Sequence, residues 1–161
     1  MTELVKQLDL VAEEYHKGQR RKTGAEYITH PRAVREIAIE LFNKYGLNKQ
    51  VGAYDRLLED LEILALFHDV LEDCGILPAQ LIHKFNQYME LRRAEYLVEK
   101  LSILNKRMYT SYFNYIMGVK FDTLTNLTKQ ADLKHNMSDL EQCSLKDKYA
   151  LALFVLEQEK S

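Results

Sequence analysis

Only two prolines and six glycines punctuate this chain of 161 residues, and its apolar residues return at spacings of three and four rather than two. That period belongs to helices packed on one face, and alternating strands do not produce it. The sequence therefore predicts an all-α fold. Leu4, Leu8, Val11, Ala12 and Tyr15 make a first stripe. A basic loop from His16 to Thr29 leads to a second at Val34, Ile37, Ala38 and Leu41. Residues 57–73 read as one strongly apolar helix, the central one, stopping at Cys74-Gly75, where glycine suits a helix end. Pro78 opens a short helix through Phe85; further helices are expected over 91–104, Tyr109–Met117 before a break at Gly118, Thr123–Leu140 and Lys146–Gln158. Asn86–Glu90 and Asn105–Met108 read as turns.

A chain of this length is expected to form one domain over residues 1–161, with 47% hydrophobic residues, enough to bury a core without staples. Twenty-four acids against 22 bases give a formal charge of -2, so no overall field holds a polyanion and general nucleic-acid binding is disfavoured. Cys74 and Cys143 are too few and too far apart for a disulfide framework or a Cys-rich zinc site, which fits a reducing compartment. The first residues lack the apolar core of a signal peptide, and no apolar run is long enough to span a membrane. A soluble cytoplasmic protein is expected; self-association is left open.

Chemistry is concentrated in three places. His68-Asp69 and Glu72-Asp73 put an imidazole and three carboxylates at the end of an otherwise apolar helix. On a continuous helix Asp69 would share a face with Glu72 and Asp73, and His68 with Glu72. Such a face repels itself unless a cation or solvent intervenes, so the tetrad fits a metal site and a solvated helix end equally. Asp132, His135 and Asn136 gather on one face of a later helix, a pattern that surface helices also show. His30-Pro31 reads singly as a cap or packed residue. The loop around Lys17, Arg20, Arg21 and Lys22 carries no acid within it, and suits either phosphate or solvent. His16 and His83 have no comparable partners and are read as structural or surface residues.

Taken together, these segments resemble the HD superfamily of metal-dependent phosphohydrolases, whose pattern of a His, a His-Asp pair and a later Asp stands here as His30, His68-Asp69 and Asp132. They are most similar to the hydrolase domain of RelA/SpoT-type alarmone enzymes and to stand-alone small alarmone hydrolases. HKGQRRKTGAEYITHP, LFHDVLEDC and TKQADLKHNMSDL match three blocks of that branch in order, with YFNYI and KYALAL in support, so the likeness runs from about Val11 to Leu156. Two departures stand out. Glu26 replaces the proline usual before the tyrosine of the first block, and Leu133-Lys134 stands where arginine often follows the metal-binding aspartate.

The resemblance implies a single helical HD domain in which His30, His68, Asp69 and Asp132 hold a metal. Two imidazoles and two carboxylates suit Mn²⁺, which the family favours, and also accept Zn²⁺ or Fe²⁺. By the same resemblance Glu72 and Asp73 are the catalytic acids, and Arg21, Lys22 and Asn136 contact a guanine nucleotide. The implied reaction removes pyrophosphate from the 3′ position of ppGpp or pppGpp. The metal set alone fits two other readings. One is an HD 5′-nucleotidase or a 3′-phosphatase of a dinucleotide cofactor; the other is a non-catalytic nucleotide-binding module.

Overall fold

The structure is a computed structural model describing residues 1–45 and 53–158. Its elements are α1 (Glu3–Tyr15), α2 (Thr29–Lys44), α3 (Tyr54–Phe67), α4 (Val70–Asp73), α5 (Pro78–Phe85), α6 (Leu91–Leu104), a 3-10 turn (Lys106–Met108), α7 (Tyr112–Lys120), α8 (Thr123–Ser138) and α9 (Ser144–Glu157). The expected all-α fold is present: among the described residues there is no strand, only an isolated antiparallel bridge between Arg20 and Glu26. None of the described helices is long and apolar enough to cross a membrane.

Helix starts follow local chemistry. The side chains of Thr2, Ser111 and Asp122 accept from the amides of Val5, Asn114 and Thr125, taking up donors that the first turn leaves unpaired. Pro78 sits at the first position of α5, where its missing N–H costs nothing. α3 is the centre: Leu61, Ile63, Leu64, Ala65, Leu66 and Phe67 are all fully buried, so it is surrounded rather than amphipathic. α2 and α8 pack against it and against each other, and α1 and α6 cover its remaining sides. Phe67 meets Phe85 edge-on at 4.8 Å, which seats α5 on the end of α3. On the other side, Arg93 of α6 reaches Asp60 and Glu59 at 2.6 Å each, a buried link that leaves no charge unpaired.

Two expectations about helix limits are corrected. The helix predicted over 57–73 is broken: α3 ends at Phe67, and α4 restarts after Asp69, whose carbonyl accepts from the amides of Glu72 and Asp73 at 3.1 and 2.8 Å. The apolar period is continuous across this break, which is why the sequence pattern hides it. Gly118 was expected to end a helix, yet α7 begins only at Tyr112 and runs through Gly118 to Lys120. The glycine is there for space. A Cβ at this position would lie 2.7 Å from the Tyr109 ring. Gly75, by contrast, does end α4 as expected, in the left-handed region at φ 66°.

Candidate metal centre and its adjoining pocket

Three elements converge on one point. His30 lies in the first turn of α2, His68 and Asp69 occupy the break between α3 and α4, and Asp132 lies in the third turn of α8. His30, His68 and Asp132 are buried, at 1%, 5% and 4% exposure, which requires that their polar atoms meet each other. The break explains how two adjacent residues serve one site. On a regular helix neighbouring side chains diverge by about 100°, whereas here His68 Nε2 and Asp69 Oδ2 stand 3.0 Å apart.

His30, His68 and Asp69 each offer a donor atom, and these atoms all lie within 4.8 Å of one another. Asp132 Oδ1 joins them at 3.1 Å from His30 Nε2 and 3.6 Å from His68 Nε2, and Asp69 Oδ2 is 3.6 Å from His30 Nε2. All four proposed ligands therefore come together. His68 Nε2 is buried and makes no hydrogen bond of acceptable geometry, although Asp69 comes close. A buried nitrogen without a partner, aimed at two carboxylates, fits a cation. The electrostatics agree. Burial disfavours a charged His68, but the Asp69 carboxylate and then Asp132 overcome it and push the imidazole up to about 10. Burial works the other way on Asp69 and Asp132, yet the imidazolium of His68 and the ammonium of Lys129 hold these carboxyls below their ordinary range. The point between them attracts positive charge.

Several contacts around this cluster were not foreseen. Tyr27 donates its hydroxyl to Asp69 at 2.7 Å and to Asp73 at 3.1 Å, joining an expected ligand to one of the expected catalytic acids. Asp73 is raised from its ordinary value, first by burial and then by the charge on Asp69. Glu72 pairs with Lys106, accepting from its ammonium at 3.0 Å and its backbone N–H at 3.2 Å. Lys129 holds Asp132 Oδ2 at 2.6 Å, and Asn136 donates to Oδ1, also at 2.6 Å. His16, read from the sequence as structural or surface, is buried and stacks on the Tyr27 ring at 4.7 Å. Lys129 and His135 had a signal, since both lie three residues from Asp132 on one face of α8. Lys106 comes from a distant turn and had none.

Beside the cluster opens a pocket of about 510 Å³ lined by Arg20, Arg21, Lys22, Tyr27, Asn136 and Tyr149, among others. This size suits a small organic ligand. The expected nucleotide contacts Arg21, Lys22 and Asn136 all line it, and Asn136 and Tyr27 also touch the carboxylates of Asp132 and Asp69. The loop carrying the arginines is held by Arg21 N–H to Ala25 and Tyr27 N–H to Gln19, at 2.9 and 3.1 Å. Within the pocket the Arg21 guanidinium donates to Asp139 at 2.7 Å and to Asn136 at 3.4 Å.

Fold and cluster together define a helical protein with a two-histidine, two-carboxylate candidate cation site opening on a basic pocket. The chain is 31% identical over 139 residues, 84% of its length, to the bifunctional (p)ppGpp synthase/hydrolase SpoT of Escherichia coli strain K12. It is 32% identical over 143 residues, 86% of its length, to the guanosine-3′,5′-bis(diphosphate) 3′-pyrophosphohydrolase of Vibrio cholerae. It is 29% identical over 133 residues, 79% of its length, to the GTP pyrophosphokinase of Streptomyces coelicolor. The chain spans 18% of the first two relatives and 14% of the third. No family model matches it. The chain is thus related, over most of its own length, to a segment of SpoT-type (p)ppGpp hydrolases.

Proposed function

We propose that this protein is a metal-dependent HD-type phosphohydrolase that converts ppGpp or pppGpp to GDP or GTP and pyrophosphate. The observation that carries the reading is the junction of the donor cluster with the basic pocket, bridged by Tyr27 and Asn136. His30 Nε2, His68 Nε2, Asp69 and Asp132 would hold the ion, Mn²⁺ by preference and Zn²⁺ or Fe²⁺ as alternatives. When bound, such an ion polarises a phosphoryl oxygen and makes water more acidic.

The chain's own residues supply the rest. Arg21 and Lys22 bind the charged phosphates from the pocket side, and Asn136 stands between sugar and ligand carboxylate. Glu72, fixed by Lys106, and Asp73, fixed by Tyr27, move the protons. One takes a proton from the attacking water as oxygen adds to the phosphorus carried by the ribose 3′ oxygen. The other returns a proton to that 3′ oxygen as its bond to phosphorus breaks, so one water is split between the two products. That relatives are a (p)ppGpp synthase/hydrolase and a guanosine-3′,5′-bis(diphosphate) 3′-pyrophosphohydrolase supports a guanosine bis-diphosphate substrate. Purified protein with Mn²⁺ is to be offered a nucleotide panel and the products separated by chromatography. Release of GDP and pyrophosphate from ppGpp is expected; a preference for nucleoside 5′-monophosphates would replace this reading with a nucleotidase.

A further inference from the structure

The two ligand histidines present the same edge to the carboxylates but secure the other edge differently. In both rings Nε2 faces Asp69 and Asp132. A cation taking the Nε2 lone pair needs each ring's proton on Nδ1, because a neutral imidazole has one N–H and one lone pair. For His68 the backbone provides this. Its Nδ1 lies 2.8 Å from the Ala65 carbonyl oxygen, which can only accept. Among the described residues no such carbonyl meets His30 Nδ1. Its Nδ1 lies 2.8 Å from Nδ1 of His135, with the rings 4.9 Å apart and tilted by 39°. Two ring nitrogens at that distance share one hydrogen, so a proton on His30 Nδ1 makes His135 the acceptor and places the His135 proton on its own Nε2.

We propose that His135 is a positioning residue for the cation: a neutral imidazole that accepts from His30 Nδ1–H, fixes the orientation of that ring and leaves its Nε2 free to ligate. The proposal rests on reading the cluster as a metal site. His135 is well placed for this, one turn beyond Asp132 on α8 and adjacent to Asn136, which donates to the Asp132 carboxylate. One helix thereby supplies a ligand and orients a second ligand that belongs to α2.

Equilibrium dialysis with Mn²⁺ is to be run on the full chain as parent, His135→Leu, His135→Asn and His30→Ala, with circular dichroism on each. The leucine variant is expected to bind Mn²⁺ about 10- to 100-fold more weakly, the usual cost of losing a partner that orients a metal-bound histidine. Asparagine places its Oδ1 about where the imidazole Nδ1 stood and is expected to restore most of the affinity. Nitrogen-15 NMR of the Zn²⁺-loaded parent needs no substitution and is expected to find hydrogen on His30 Nδ1 and none on His135 Nδ1. Unchanged Mn²⁺ affinity in His135→Leu, or a proton on His135 Nδ1 in the Zn²⁺ form, overturns the positioning role. A parent that binds Mn²⁺ no better than His30→Ala overturns the metal reading itself, and the proposal with it.

Discussion

In the proposed reaction, substrate phosphates entering the pocket would compete for Arg21, because Asp139 already holds its guanidinium at 2.7 Å. A charge-assisted hydrogen bond to phosphate is worth about 1.5 to 3 kcal/mol. Releasing the internal pair costs little, since the Asp139 side chain is 34% exposed and such pairs contribute about 0 to 1 kcal/mol. The difference, about 0.5 to 3 kcal/mol, converts to roughly a 2- to 160-fold rise in KM for ppGpp in Arg21→Ala. These contacts form before the chemical step and persist through it, so kcat should hold and Mn²⁺ content should not change. Asp139→Asn removes both the competitor and a negative charge from the pocket wall, and should lower KM by up to about fivefold. In the double variant the missing arginine no longer leaves Asp139 facing the phosphates, so its KM should fall below that of Arg21→Ala. Steady-state kinetics at saturating Mn²⁺ on the three variants tests this. An unaltered KM in Arg21→Ala, or a raised one in Asp139→Asn, refutes the reasoning.

Loss of metal from His30→Ala, read by elemental analysis, should leave the helical signal intact. Asp132→Ala should lose the metal and also destabilise the fold by about 3 to 5 kcal/mol in urea titrations, because it strands the Lys129 ammonium that Asp132 holds at 2.6 Å. Glu72→Gln should retain Mn²⁺ and lower kcat by about 10² to 10⁴, with a smaller loss in Lys106→Met; parent turnover in both would make the Glu72 pair structural. Gly118→Ala improves helix propensity by up to about 1 kcal/mol but drives a methyl into the Tyr109 ring, so a net loss on the order of 1 to 2 kcal/mol is expected in thermal melts. Burial alone would raise the Asp122 carboxyl, but its bonds to Lys100 and to the Thr125 amide lower it below its ordinary value. The stabilisation is therefore complete above the unfolded carboxylate pKa and disappears as pH falls through the lower folded value. Urea midpoints of Asp122→Asn should accordingly fall less steeply than the parent's on that acid side.

The helices were legible because their apolar period is strong and their caps are local. The helix expected from Thr123, for instance, is present, and the structure shows its start capped by Asp122. The break at His68-Asp69 was not legible, because apolar residues on either side keep the period while the backbone departs from it. Gly118 misled for a related reason: a helix-breaking residue was required by the Tyr109 ring, a contact that no local pattern reports. The four proposed ligands were picked out by motif resemblance; spacing alone left His68-Asp69 equally suited to a solvated helix end, Asp132 to a surface helix and His30 to a cap or packed position. The Lys106 clamp on Glu72 and the Asp139 hold on Arg21 join residues far apart in sequence, and only tertiary packing places them.

His30 and His135 touch although 105 positions separate them in the chain, and Asp132 lies one turn before His135. An ion shared by α2 and α8 would therefore close most of the polypeptide into a loop, as a covalent crosslink does, and long closures cost the unfolded chain the most entropy. Affinity and fold stability then become one quantity: free ion at a hundred times its dissociation constant adds about 2.7 kcal/mol against unfolding. Protease resistance of the whole chain should consequently track the free ion concentration. Supply of the cation would set how long the protein survives as well as how fast it turns over.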